Sequence, residues 1–145
     1  MPAKAEADPA ADLDRHVVVV GYDEVGQLID LMLDKSNIPH LAFDRDLQLV
    51  IRGKRSGRNV HFGDMYSPAT QEAAGLGRAA AAYVTSRDMD HAKGLAVTLH
   101  RLYSHLDVYV RVRTLADQDE LVAKGIKHAA TGYIESTLNR GGILL

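Results

Sequence analysis

Five times along this chain a short apolar or β-branched run is followed by a stretch of helix length, and no other feature limits the fold so strongly. The first run, HVVVV at 16–20, is continuous rather than alternating. That is the pattern of a central strand covered on both faces. After Gly21, the positions Val25, Leu28, Ile29, Met32 and Leu33 recur at helical spacing, with Asp30 and Asp34 on the opposite side. The unit repeats through IPHLAF, NVHFGD, AAAYVTS and DVYVRVR, each leading into a helical stretch, and closes on a weaker sixth strand, AATGYI. Strands joined by helix-length crossovers pair in parallel, and such crossovers are right-handed. The expected class is therefore α/β: a Rossmann-like doubly wound parallel sheet of order 3-2-1-4-5-6, forming a single domain over residues 15–145. Residues 1–14, rich in Ala, Asp and Pro, are expected to be a mobile arm or linker.

Composition narrows the function classes. The 145 residues suffice for one domain with a real core, but not for a nucleotide domain plus a separate substrate domain. The formal charge of -2 and the absence of a basic tract argue against nucleic acid as a partner. Without cysteine there is no disulfide, thiolate metal site or thiol nucleophile. No apolar run reaches the roughly 18 residues a membrane span needs, so the chain as given is expected to be soluble.

In a doubly wound sheet, ligands bind beyond the carboxyl ends of the strands, where strand order reverses. Gly21 to Gly26, Asp44, Gly63, Asp64, Thr85 to Asp88, Arg111 and Arg113 belong to that rim. Gly21 and Gly26 match two of the three glycines of the dinucleotide fingerprint, but Asp23 stands where the middle one is needed. A side chain there fills the space of a pyrophosphate, and a carboxylate adds like charge at the helix N-terminus. Asp23 either crowds a nucleotide or simply caps its own helix.

Asp44 follows Gly21 by 23 residues at the end of strand two, the position of a ribose-binding acid; its alternative role is the N-cap of the next helix. Asp64 either accepts from an adenine amino group or caps a turn. Arg111 and Arg113 share one strand face, and they meet an anionic ligand, a subunit contact or solvent. Arg87 lies near the switch point with the same choices. The seven histidines show no zinc-binding spacing, and no G-x-S-x-G nucleophile turn is present.

Together, HVVVVGYDEVGQLI, LAFDRD, VHFGDMYSPATQEAAGL, HLDVYVRVRTLADQDELVAKGI and ATGYIESTLNRGGILL resemble the RCK N-terminal (TrkA-N) nucleotide-binding domain. The likeness runs from about His16 to the end and is strongest to the cytosolic domain of Kef-type potassium/proton antiporters. It implies a regulatory module without catalysis that binds AMP or NAD(H), other adenine nucleotides being possible. It also implies a homodimer at the cytoplasmic side of the membrane, acting on a transporter portion in the same chain or a separate subunit. Carried over, the nucleotide-contacting positions are Gly21, Tyr22, Asp23, Val25 and Gly26 in the first turn. Asp44 and Arg45 follow strand two, Gly63 and Asp64 follow strand three, and Arg87 and Arg111 complete the set. The departures are Asp23 and the MYS sequence after Asp64. With Asp23 present, AMP is expected to fit better than a dinucleotide, because adenosine anchored on Asp44 leaves the crowded pyrophosphate region empty. The rival reading is a small NAD-dependent oxidoreductase. It lacks a Tyr-x-x-x-Lys pair or a positioned histidine to exchange a proton with substrate.

Overall fold

A computed structural model describes residues 8–131. Six strands, β1 (Val17–Val20), β2 (His40–Asp44), β3 (Val60–Phe62), β4 (Ala81–Val84), β5 (Asp107–Arg111) and β6 (His128–Ala130), alternate with five helices. The helices are α1 (Glu24–Lys35), α2 (Leu47–Arg55), α3 (Pro68–Ala73), α4 (Met89–Leu102) and α5 (Leu115–Ala123). Every strand pairing is parallel, and the sheet order is β3-β2-β1-β4-β5-β6, the doubly wound arrangement expected from the sequence.

The helices begin where the sequence offers a capping oxygen. Asp23, Asp46, Asp88 and Thr114 each accept a backbone N–H from the first turn of α1, α2, α4 and α5. For α3 the start is set by Pro68, whose fixed φ suits the first turn and whose missing N–H costs nothing there.

All four valines of β1 are buried because both sheet faces are covered. Val17 and Val19 join Ile29, Leu33, Val50 and Val60 beneath α1 and α2. Val18 and Val20 pack with Leu95, Leu99 and Leu121 beneath α4 and α5. This two-sided alternation is what a continuous valine run makes possible. Register then fixes the site: Val20 pairs with Phe43 on one side and Val84 on the other. Gly21, Asp44 and Thr85 therefore leave the sheet at one level.

Of the expected arm, the part from Asp8 onward lies against the opposite end of the sheet. Ala10 is fully buried and its N–H donates to the Ala73 carbonyl at 3.3 Å, while Arg78 donates to the carbonyls of Ala10 and Leu13. Alanine is small enough to enter the core there without a cavity of its own. The sixth strand starts one residue before the expected AATGYI, and residues 132–134 of that stretch, with the rest of the chain to 145, lie outside the described residues. Among the described residues no helix is long and apolar enough to cross a membrane.

Candidate functional site

The carboxyl ends of β1, β2, β3 and β4 frame a crevice of about 240 Å³ whose walls include Gly21, Asp23, Asp44, Arg45, Gly63 and Thr85. Its floor is apolar, from Val20, Phe43, Leu49 and Met65. Gly21 has φ of +116°, and a Cβ there would lie 2.3 Å from Thr85 Oγ1. A Cβ on Gly26 would lie 1.9 Å from the Gly21 carbonyl oxygen. Both glycines are thus demanded by the close passage of the turn past α1 and β4, whatever the crevice binds.

Asp23 caps α1. Its Oδ1 accepts from Val25 N and Gly26 N, both at 3.2 Å, and its Oδ2 lies 3.3 Å from Arg87 Nε. The two amides a phosphate would seek at this helix end are therefore already held by a carboxylate of the chain itself.

Asp44 does not cap the following helix. That role belongs to Asp46, whose Oδ1 accepts Gln48 N at 2.9 Å. Asp44 instead stands on the crevice wall, with Oδ2 accepting Tyr22 N at 2.6 Å and Oδ1 accepting Asp46 N at 2.7 Å. Each carboxylate oxygen has two lone-pair directions, so one per oxygen is left over for a further donor. Two adjacent hydroxyls of a ribose present donors of this kind.

The remaining predicted positions divide. Arg45, Gly63 and Arg87 border the crevice. Tyr22 contributes only backbone; its side chain is 4% exposed and turns beneath α1 and α2, where its hydroxyl donates to Asp30. Val25 packs partly buried against the core beneath α1 and α2 and does not line the crevice. Asp64 also stays off the crevice wall and bends its own loop by accepting Tyr66 N at 3.0 Å. Arg111 is exposed at the end of β5, away from the crevice, whereas Arg113 donates to the Arg87 carbonyl at 2.7 Å and so steadies the rim.

Sequence reasoning missed His91, which lines the crevice from the first turn of α4. Its Nδ1 and Nε2 have no hydrogen-bond partner among the described residues. Burial, followed by the nearby Arg45 charge, lowers its pKa and keeps it neutral. The Tyr66 ring meets it edge-on at 5.3 Å. The available signal was its position three residues after the Asp88 cap, on the helix turn that faces the strand ends.

A wider groove of about 710 Å³ runs between α1 and α2 and shares Asp23, Asp46, Leu49 and Arg87 with the crevice. Its size alone does not make it the site, because Asp44 and the glycine turn face the smaller crevice.

At the far end of α1, Asp30, Asp34 and His40 bring ligand atoms within 4.8 Å of one another. Arg58 reaches both carboxylates, so a guanidinium supplies the positive charge that this cluster needs.

A six-stranded parallel sheet in this order, with a glycine turn after its first strand, defines the class of Rossmann-like doubly wound α/β domains. Within that class the chain belongs to the TrkA-N domain family, whose pattern matches residues 17–132. The K(+) efflux antiporter 1, chloroplastic, of Arabidopsis thaliana is 31% identical over 139 residues, covering 95% of this chain. The chain spans 11% of that relative's length. Among solved structures, the TrkA-N domain of inner membrane protein ybaL from Escherichia coli superposes with a TM-score of 0.75 at 19% identity. That match covers 92% of this chain and 99% of the other. The Shewanella denitrificans Kef CTD in AMP-bound form gives 0.67 at 20% identity over 87% of this chain and 76% of that one. The GsuK channel bound to NAD gives 0.71 at 24% identity over 91% and 23%.

Proposed function

We propose that this domain is a nucleotide-sensing regulatory module of a monovalent cation transport system, potassium being the ion its relatives' names suggest, and that it performs no chemistry itself. The observation that carries this reading is Asp44, held by two backbone amides on the crevice wall with one acceptor direction left over per oxygen. A ribose seated there places its base along Phe43, Leu49 and Met65 and its 5′ side toward the turn. At the turn, Asp23 already occupies the helix amides. A single phosphate can instead meet the exposed side chains of Arg45 and Arg87, whereas a pyrophosphate needs the space that Asp23 takes. The reading is therefore AMP ahead of NAD(H), with other adenine nucleotides weaker. A membrane-embedded transporter partner belongs to the same proposal, supported by the antiporter relative, and a homodimer at the cytoplasmic side is proposed with it from the resemblance alone. A ligand regulates such a partner only by binding its two states unequally.

Calorimetric titration with AMP, ADP, ATP, NAD and NADH tests the reading. AMP is expected to bind most tightly, and Asp44→Asn to weaken it by at least about tenfold, roughly 1.4 kcal/mol. Absence of heat and of thermal shift with every nucleotide would overturn the sensing role.

A further inference from the structure

His40 opens β2 at the sheet end away from the crevice, and its surroundings are unusual for a histidine. Its Nδ1 lies 2.7 Å from the Ile38 carbonyl oxygen and its Nε2 lies 2.6 Å from Asp30 Oδ1. A peptide carbonyl only accepts, and so does an ionised carboxylate. Both ring nitrogens must therefore donate, and only the imidazolium carries two N–H groups.

Asp30 is ionised. Burial alone would raise its pKa, but hydrogen bonds from His40, Arg58 and Tyr22 outweigh burial and hold it well below the usual carboxylate range. For His40, burial acts downward, yet Asp30, the Ile38 carbonyl and Asp34 together hold its pKa above the ordinary value.

The groups facing the ring come from every neighbouring element. Asp30 and Asp34 project from α1, with Asp34 Oδ1 at 3.6 Å. Arg58, from the loop after α2, binds both carboxylates. Tyr22, from the turn after β1, donates its hydroxyl to Asp30 Oδ2. The ring itself borders an open groove of about 420 Å³, so its proton exchanges with solvent despite a side-chain exposure of only 7%.

The link to the crevice is short: two hydrogen bonds to the Asp30 carboxylate join His40 to Tyr22. Asp30 binds His40 through one oxygen and Tyr22 through the other, so the carboxylate cannot turn for one without moving for both. Tyr22 is the residue whose backbone N–H holds Asp44 and whose carbonyl accepts Gln27 Nε2 at 3.0 Å. When the imidazolium loses a proton, two acceptors face each other across one of its contacts at 2.6 or 2.7 Å. The ring or Asp30 must then shift.

We propose that His40 is a proton-binding site coupled to the glycine turn, so that loss of its ring proton loosens Tyr22 and lowers the crevice's affinity for an adenine nucleotide. The affinity half of this coupling rests on the nucleotide reading above; the link from proton to turn does not. Long-range ¹H–¹⁵N spectra of the 145-residue chain from pH 5.5 to 9 test the link without ligand. Both His40 nitrogens are expected to be protonated at pH 7, and the Gly21, Tyr22 and Asp23 amides are expected to shift with the His40 midpoint. Tyr22→Phe, which keeps the ring and removes only the hydroxyl, should preserve the His40 titration and abolish the amide response. His40→Gln should leave those amides flat with pH. A neutral His40 tautomer at pH 7, or an amide response unchanged in Tyr22→Phe, overturns the link. With AMP, the dissociation constant should rise by at least about fivefold across the midpoint in the native chain and stay level in Tyr22→Phe. Equal affinity on both sides of the midpoint overturns the coupling to binding. No AMP binding at any pH overturns the nucleotide reading and the affinity half, and the amide titration then decides the proton link by itself.

Discussion

At the residue scale, single side chains in the glycine turn separate structural demand from ligand preference. Asp23 caps α1 and also holds the amides that a pyrophosphate would use. Glycine is itself an acceptable N-cap, costing only a few tenths of a kcal/mol relative to aspartate. Asp23→Gly should therefore leave the melting temperature nearly unchanged while strengthening NAD(H) binding relative to AMP by about tenfold, or 1.4 kcal/mol, in paired calorimetric titrations. An unchanged preference would reject the crowding account. Gly26→Ala is the opposite case, since its Cβ would meet a backbone oxygen at 1.9 Å. It should destabilise by about 3 kcal/mol in urea unfolding, with or without nucleotide. The position of Asp44 was legible in the sequence, because its spacing from Gly21 and its place at a strand end agree. Whether Asp44 capped a helix was not legible. Two aspartates stand two residues apart, and only the path of the chain decides that Asp46 takes the cap.

At the element scale, the helices are specified locally and placed by packing. Asp46→Ala removes the oxygen that accepts Gln48 N and should cost about 1 kcal/mol, read as a lower urea midpoint with an unchanged slope. Strand positions were legible because short apolar or β-branched runs alternate with stretches of helix length, the first three ending at or beside Gly21, Asp44 and Gly63. The roles of Asp64 and Arg111 were less so. Both stand near carboxyl ends of strands, yet Asp64 folds back on its own loop and Arg111 lies exposed at the last position of β5. Proximity to the rim in sequence is only a one-dimensional criterion, and the direction of a side chain depends on the twist and register of its strand.

At the scale of the whole molecule, pH acts through histidines pulled in opposite directions. Burial, with the Lys54 charge adding to it, lowers the His61 pKa to about 4. A depressed histidine contributes stability above its unfolded value near 6.5 and loses it as pH falls toward 4. His40 is raised, so its contribution is complete below about 6.5 and is lost as pH climbs through its folded value. Thermal melts across pH 4 to 9 should therefore peak near neutrality, with His61→Gln flattening the acid limb and His40→Gln the alkaline one. A monotonic profile would contradict these assignments. The sequence by itself determined the parallel sheet and the glycine turn, because periodicity and turn chemistry act between residues a few positions apart, and the strand order followed from the helix-length crossovers. The tertiary structure alone decided which acids face the crevice. It also brought His91 to the crevice wall and joined Tyr22, Asp30, His40 and Arg58 into one partly buried network. Those contacts span elements distant along the chain, and their geometry exists only once helices and strands are packed against one another.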